Sequence, residues 1–329
     1  MRLARWTSGG AVAEGFVVGD RVVPFPRALT VADVLAGGLA EAHALFAELD
    51  TDVGAALSDV ALLAPLVPAA IRDFVAFEEH VEGVSASVDG RSEVVPEWYR
   101  APTFYFTNPH TVLGPGETLR PPVTERLDFE LEVAAVVGGA SGAGTSNLTP
   151  GDAAAVIFGY TIMNDWSARD LQSREMKVRL GPAKGKDFGT SLGPWIVTAD
   201  EFEPYLDDEG FLANSAEVFV NDERIGSDLV SNMGWPFPEL VAYASRNSRV
   251  VPGDVLGSGT TGNGGCLAEL WGRRGELSPR PLAEGDVVRM VVEGIGELVG
   301  TVGAPVVAPE LPEARIRTRA RTREDRVPS

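Results

Sequence analysis

The chain has 329 residues, of which 44% are hydrophobic and 23% charged, a balance typical of a globular protein with a sizeable core. Its formal net charge of −19 excludes a surface that tracks nucleic-acid phosphates, because a strongly negative body repels another polyanion. A single cysteine excludes an internal disulfide, and no apolar run approaches the roughly 20 residues that span a bilayer. We therefore expect a cytoplasmic protein without a membrane partner.

The first 65 residues predict a small N-terminal domain that combines strands and a helix. Residues 1–30 alternate apolar and polar positions around glycine-containing turns, which predicts short strands. Residues 31–49 have apolar side chains at helical spacing and predict one helix, broken by Gly37 and Gly38. Prolines at 65 and 68 mark a connector, so we place the domain boundary near Pro65.

The remainder predicts a larger domain over residues 66–310 that is mostly β. We expect helices over 72–82, 149–158, 166–176 and 236–246, and a clear strand over 127–137. Further strands and hairpins follow over 160–163, 195–199, 217–225, 255–258 and 286–302. Runs of strands with only short helices indicate an antiparallel or mixed β architecture within an α+β class, not a doubly wound parallel sheet. The arginine-rich residues 311–329 have no apolar periodicity and predict a disordered tail.

An acidic row lies on the strand predicted over residues 127–137. The two-residue period of a strand places Asp128, Glu130 and Glu132 on one face, about 7 Å apart. An exposed strand with an acidic face is the ordinary interpretation of this pattern. Because the strand continues into a buried apolar run, however, the acids would stand at the edge of a core and repel one another. A divalent cation between them is the simplest solution.

Two further segments combine groups that could work together. Asp165, Arg169 and Gln172 would share one helical face, although an N-cap with an ordinary ion pair explains this segment equally well. In a helix over 72–82, Asp73 and His80 would share a face, and a carboxylate could hold the imidazole as a base near neutral pH.

Three other patterns carry little functional signal. The glycine-punctuated residues 180–190 lack the spacing of a phosphate-binding loop. Residues 189–193 match the letters of a nucleophile elbow around Ser191, but a strand follows and no histidine comes later. Cys266 has no neighbouring histidine in the sequence, and a small buried side chain is the better interpretation.

Taken together, the motifs resemble the fumarylacetoacetate hydrolase family over roughly residues 66–305. The resemblance rests on E-L-E at 130–132, N-D-W-S-A-R-D-L-Q at 164–172, G-K-D-F-G-T-S-L-G-P-W at 185–195, G-S-G-T at 257–260 and L-A-E-L-W at 267–271. The family's fold implies a mixed β-roll or β-sandwich catalytic domain with short flanking helices. It also implies a homodimer.

The resemblance implies a complete set of site residues. The divalent-metal ligands would be Asp73, Glu130, Glu132 and Asp165, and an all-oxygen site suits Mg²⁺, with Ca²⁺ or Mn²⁺ as alternatives. The catalytic residues would be His80 as the base, Glu269 as the acid that orients it, and Lys186. The substrate-binding residues would be Tyr105, Arg169, Gln172 and Thr260. The sequence departs from the family pattern at Val75, where a tyrosine is expected, and at Asp89, where an arginine is expected.

The implied activity is a metal-dependent hydrolase that cleaves a carbon–carbon bond of a β-dicarbonyl or 2,4-diketo acid through an enolate. A 2-oxo acid decarboxylase, hydratase or isomerase on the same residues is the alternative, because family membership does not select among these reactions. A non-catalytic binding protein that keeps the fold is the third hypothesis. The partner in every enzymatic case is a small keto acid.

Overall fold

The computed structural model describes residues 1–51, 53–89, 93–140 and 144–316. The strands are β1 Arg2–Ser8, β2 Ala11–Val18, β3 Arg21–Pro24, β4 Ala55–Ala56, β5 Ala61–Leu63, β6 Ile71–Phe74, β7 Phe104–Thr107, β8 Val112–Leu113, β9 Thr118–Leu119, β10 Leu127–Asp128, β11 Leu131–Val137, β12 Ile157–Asp165, β13 Ser167–Ala168, β14 Thr190–Thr198, β15 Ser215–Val220, β16 Glu223–Leu229, β17 Val255–Gly257, β18 Val287–Val292 and β19 Gly296–Val302. The helices are α1 Val31–Gly37, α2 Leu39–Ala47, α3 Glu78–Asp89, α4 Pro150–Val156, α5 Arg169–Met176, α6 Phe237–Ser245 and α7 Leu267–Arg274.

A 12-stranded mixed sheet forms the centre of the described chain, with the main order β4-β3-β2-β1-β14-β12-β11-β17-β6-β7. Most neighbours are antiparallel, but β17 runs parallel to β6 and β14 runs parallel to β8. A 5-stranded sheet has the order β16-β15-β18-β19-β9. The expectation of a predominantly β, mixed architecture with short helices is therefore confirmed.

The buried apolar run on β11 has a direct structural explanation. Val133, Ala135 and Val137 pack into one hydrophobic core, and the alternating Ala134 and Val136 pack into a second core on the other face of the sheet. A strand buried on both faces carries apolar residues continuously instead of at every second position. The carboxylates at its start are thereby held at the edge of the protein interior.

The N-terminal segment forms the elements that its sequence predicts, and it joins the same sheet. The helix over 31–49 is divided where Gly38 has a φ of 82°, between α1 and α2. Thr30 and Asp33 form a capping box that begins α1. Strand β1 pairs with β14, with Leu3 opposite Ile196, so the large sheet contains both segments. The division at residue 65 stays a prediction.

The helix predicted over residues 72–82 is wrong in its first half. Residues 71–74 form β6, which pairs with β17 and β7, and α3 begins only at Glu78. The Arg72 guanidinium is buried and lies 2.7 Å from Asp254 Oδ2. Long-range strand pairing and this ion pair override the local helical spacing, which is only a weak preference.

The sequence pattern does not predict helix α7, whose N-cap residue Cys266 is buried as expected. The arginine-rich tail lies outside the described residues from position 317 onward. Among the residues that the structure describes, no helix combines the length and the apolarity needed to cross a membrane.

Candidate active site

Neighbouring strands of the large sheet bring three acidic side chains together. Asp165 is the last residue of β12, Glu132 lies on β11 and Asp73 lies on β6, with β17 between the last two strands. Glu130 directly precedes β11. Asp73, Glu130 and Glu132 each place a carboxylate oxygen within 4.8 Å of the other two. All four acids are at most 4% exposed.

Gly257 on β17 makes this convergence possible. It is opposite Ala134 of β11 and opposite Asp73 of β6, so it lies between two strands that carry the acids. A Cβ atom on Gly257 would stand 2.6 Å from Glu132 Oε2 and 3.0 Å from Asp73 Oδ1. The absence of a side chain therefore leaves the space in which the carboxylates meet. In the sequence, Gly257 is the first glycine of G-S-G-T at 257–260, a pattern that by itself indicates only a turn.

Two buried cations neutralise part of the cluster. Lys186 Nζ lies 2.6 Å from Asp165 Oδ2 and also contacts Glu130 Oε2. Arg169 Nη1 lies 2.8 Å from Glu130 Oε1. Although burial opposes ionisation of Glu130, these cations lower its pKa to about 2. Burial also disfavours the Lys186 ammonium, but Asp165 and Glu130 outweigh it and hold its pKa above the usual range.

The cations compensate the remaining acids less completely. Burial, together with the charge of Asp165, raises the pKa of Asp73 well above its ordinary value. Burial, together with Asp73, does the same to the pKa of Glu132. Burial also raises the pKa of Asp165, against the opposing effect of Lys186. The protein thus concentrates more negative charge here than its own cations balance.

The donor chemistry fits a hard divalent cation. Within the described ranges, Asp73 Oδ1, Glu132 Oε1 and Asp165 Oδ1 are buried oxygens without a hydrogen-bond partner. Buried polar atoms are rarely left in this condition, and each one calls for a partner such as an ion. Carboxylate oxygens are the ligands that Mg²⁺, Ca²⁺ and Mn²⁺ prefer. The fourth predicted ligand, Glu130, has both oxygens engaged by Lys186 and Arg169.

A structured loop presents Lys186 to the acids. The Glu175 carboxylate, on α5, accepts hydrogen bonds from the backbone N–H groups of Ala183, Lys184 and Gly185 at 2.8 to 3.1 Å. Gly185 packs against α5 so closely that a Cβ atom would stand 2.6 Å from Gln172 N. The glycine and the carboxylate thus explain why the loop holds the ammonium at a defined position.

His80 and Glu269 lie on the facing helices α3 and α7. Gly83, one turn after His80, packs against Glu269, and a Cβ atom there would stand 2.4 Å from Glu269 Cγ. No hydrogen bond joins the two side chains in the described part of the chain. His80 Nδ1 lies 3.6 Å from Cys266 Sγ, and Glu269 Oε1 lies 2.8 Å from Arg273 Nη2. Burial lowers the pKa of His80 to about 4 and raises the pKa of Glu269 to about 7.

The residues expected to contact substrate surround the same space. The Tyr105 hydroxyl donates a hydrogen bond to Asp165 Oδ2, and Gln172 Oε1 accepts one from Arg169 Nη1 at 3.1 Å. Tyr105 and Gln172, together with Thr260, line a cleft of about 650 Å³. His80, Glu130 and Lys186 line it as well. Glu269 is outside this lining, behind His80.

Three expectations about shared faces are wrong. Asp73 and His80 share no helical face, because Asp73 lies on β6 and α3 begins only at Glu78. Asp128 does not join Glu130 and Glu132, because the strand is interrupted at residues 129–130. Its carboxylate instead accepts hydrogen bonds from Arg169 Nε and from the N–H groups of Leu267 and Ala268 at the start of α7. Asp165 ends a strand and shares no helical face with Arg169. The correct neighbours depend on strand ends that the local pattern does not define.

The Ser191 motif has a structural role. Ser191 lies on β14 and its Oγ accepts a hydrogen bond from Trp166 Nε1 at 2.9 Å. This agrees with the interpretation that its resemblance to a nucleophile elbow is accidental.

Comparisons with known proteins agree with the motifs. Residues 69–303 match the family model described as fumarylacetoacetate (FAA) hydrolase, C-terminal. The chain is 32% identical to fumarylacetoacetase of Arabidopsis thaliana over 74% of this chain and 70% of that protein. It is 28% identical to oxaloacetate tautomerase YisK of Bacillus subtilis over 75% of this chain and 74% of that protein. A solved structure of fumarylacetoacetate hydrolase from Exiguobacterium antarcticum superposes with a TM-score of 0.67 and 26% identity, covering 92% of this chain and 99% of that one.

The matches cover different shares of these proteins. Across the fumarylacetoacetases of plants and animals, the aligned part spans between 59% and 71% of their length. In the bacterial structure the match is almost complete.

Proposed function

This chain belongs to the fumarylacetoacetate hydrolase family, and we propose that it is a divalent-metal-dependent hydrolase that cleaves a carbon–carbon bond of a β-dicarbonyl or 2,4-diketo acid. The observation that carries the proposal is the set of unpartnered buried oxygens on Asp73, Glu132 and Asp165, beside a buried lysine and histidine. Several such oxygens within one group of acids suit a shared cation, which would be the missing partner of each.

Asp73, Glu132 and Asp165, with Glu130, would hold the cation, and Mg²⁺ is our first choice ahead of Mn²⁺ or Ca²⁺. When bound, such an ion supplies Lewis-acid polarisation of the substrate's carbonyl oxygens. The solved maleylpyruvate hydrolase of Sphingobium sp. SYK-6 in complex with manganese (II) ion and pyruvate shares this fold, at 21% identity and a TM-score of 0.65.

The protein's own residues supply the proton and charge chemistry. His80 is neutral at neutral pH because burial lowers its pKa to about 4, so it can accept a proton from water. The resulting hydroxide oxygen bonds to the substrate carbonyl carbon, and the carbon–carbon bond breaks with its electron pair leaving as an enolate. The proton that His80 took from water then passes to the enolate carbon, which leaves two acids from a 2,4-diketo acid, or an acid and a ketone from other β-dicarbonyl substrates.

Lys186 and the polar wall of the cleft bind the substrate and stabilise the developing charge. The Lys186 ammonium remains charged at neutral pH, since Asp165 and Glu130 raise its pKa. A preorganised cation of this kind lowers the free energy of the transition state by roughly 3 to 4 kcal/mol as the enolate charge develops. Arg169, Gln172 and Thr260 would hold the substrate's carboxylate and carbonyl groups, and Glu269 would support His80 from behind.

The test is a screen of acylpyruvates and other 2,4-diketo acids with Mg²⁺ or Mn²⁺, with and without a chelator. Turnover that requires the metal supports the proposal, and no turnover of any such compound rejects it. Reaction in ¹⁸O-labelled water follows the oxygen, because only hydrolysis places the label in a product carboxylate.

A lyase, tautomerase or isomerase acting on a 2-oxo acid is the alternative activity, and the similarity to an oxaloacetate tautomerase favours keeping it. This alternative is supported if the protein consumes or interconverts oxaloacetate in a metal-dependent reaction and no ¹⁸O enters the product. We also propose, on the family resemblance, a cytoplasmic homodimer; light scattering of the purified protein tests the dimer.

A further inference from the structure

The cleft has two chemically different parts. Its inner part presents polar and charged side chains, among them Glu130, Arg169 and Lys186. The rest of the lining, which we call the outer part, includes five apolar residues from two segments of the chain: Val75, Val84, Met176, Leu180 and Pro182. One end can therefore bind a diketo acid head group, and the other offers a surface that water solvates poorly.

The outer part contains apolar surface that the fold leaves uncovered. Met176 is 46% exposed and Leu180 is 92% exposed. Both belong to the segment that runs from the last residue of α5 to the Lys186 loop, and they line the same cleft as Val75 and Val84. Large apolar side chains next to a polar binding site gain stability when a ligand covers them.

Among the described residues that line this outer part, none forms a strong site for a second negative charge. Arg169 and Lys186 already contact Asp128, Glu130 and Asp165. Arg179 also lines the cleft, but it is exposed to solvent and has no ion-pair partner in the part of the chain that the structure describes. A contact between an exposed arginine and a carboxylate changes binding by at most about fivefold.

We propose that the preferred substrates are acylpyruvates whose acyl group ends in an unbranched apolar chain, held between Val75, Val84, Met176 and Leu180. This inference rests on the proposed hydrolase function and adds the substrate class. Each methylene that becomes buried strengthens transition-state binding by roughly threefold to fourfold. A terminal carboxylate on the same chain must lose water against an apolar wall and binds less well.

The experiment measures kcat/KM for acetylpyruvate, butanoylpyruvate and hexanoylpyruvate, and for the hexanoyl compound with a carboxylate at its end. We expect about a tenfold rise for each added pair of methylenes until the wall is covered, and a lower value for the carboxylated compound. The double variant Met176→Ser, Leu180→Ser should flatten this dependence on chain length. Val178→Ser is the matched control, since Val178 is 75% exposed in the same segment and does not line the cleft.

The outcomes separate this inference from the proposed function. Turnover with no dependence on chain length, or with a preference for the carboxylated compound, overturns the inference and leaves the hydrolase intact. If no acylpyruvate is cleaved, the proposed function fails. Calorimetric titration with 2-oxobutanoate and 2-oxooctanoate then still measures whether a longer apolar chain on the ligand strengthens binding. Tighter binding of the longer acid, lost in the double variant but kept in Val178→Ser, supports the apolar site; equal binding rejects it.

Discussion

Replacement of Lys186 by methionine should reveal how much of the cluster's charge this one cation balances. Lys186 is 3% exposed and lies 2.6 Å from Asp165 Oδ2 while also contacting Glu130. Removing one partner of a buried ion pair typically costs about 3 to 5 kcal/mol, because the remaining charge is left without compensation. We expect the free energy of unfolding of Lys186→Met to fall by that amount in the presence of a chelator.

The control is Lys184→Met in the same loop. Lys184 Nζ also pairs with a carboxylate, Asp187 Oδ1 at 2.7 Å, but its side chain is 71% exposed. Exposed pairs contribute about 0 to 1 kcal/mol, so this variant should lose little stability. Urea unfolding with equal m values for all variants would make the free energies comparable.

A divalent cation should offset part of the loss. An ion that binds only the folded state adds about 2.7 kcal/mol at a hundred times its dissociation constant. The variant retains both acids without the lysine charge, so Mg²⁺ should stabilise it more than it stabilises the wild type. Equal destabilisation of Lys186→Met and Lys184→Met, or a loss that Mg²⁺ does not reduce, would refute the idea that the acids share a cation. For catalysis we expect kcat to fall by about 10² to 10³.

Three other perturbations test separate parts of the site. Glu132→Gln should weaken Mg²⁺ or Mn²⁺ binding at least tenfold in calorimetry. The control is Asp128→Asn, which should lower stability but leave metal affinity near wild type, because the Asp128 carboxylate already binds an arginine and helix amides. The opposite pattern would contradict our ligand assignment. Gly257→Ala should likewise weaken metal binding, because the added carbon would stand 2.6 Å from Glu132 Oε2, and wild-type affinity would show that the strand spacing is not critical. Burial lowers the pKa of His80 from 6.5 to about 4 and raises the pKa of Glu269 to about 7, so the pH profile is measured on metal-saturated Glu269→Gln, in which only the histidine of this pair titrates. Its kcat/KM should hold as pH falls until pH approaches 4, and an acid limb centred near 6.5 would argue against a buried neutral base. The lowered pKa of His80 also makes stability depend on pH. As pH falls from 6.5 toward 4, the unfolded chain takes up the proton before the folded chain does, so the free energy of unfolding decreases.

The class of the fold follows from the sequence alone, and the sequence also proposes a set of site residues. Alternation and glycine-containing turns predicted the mixed β architecture, and the uninterrupted apolar residues of β11 predicted a buried strand, because both signals are local and periodic. The order of the motifs around Glu130, Asp165, Lys186 and Glu269 indicated the family, since those residue types occur at matching positions along the chain.

Which of these residues lie together depends on the tertiary structure. The local pattern placed Asp128 with the acids and residues 71–74 in a helix, and both expectations failed because pairing partners far away in the chain set the strand ends. Gly257 lies between two acid-bearing strands, and Cys266 is beside His80, through contacts that no spacing rule contains. Local propensities amount to fractions of a kcal/mol per residue, whereas strand pairing and burial act across the whole sheet and therefore position the chemistry.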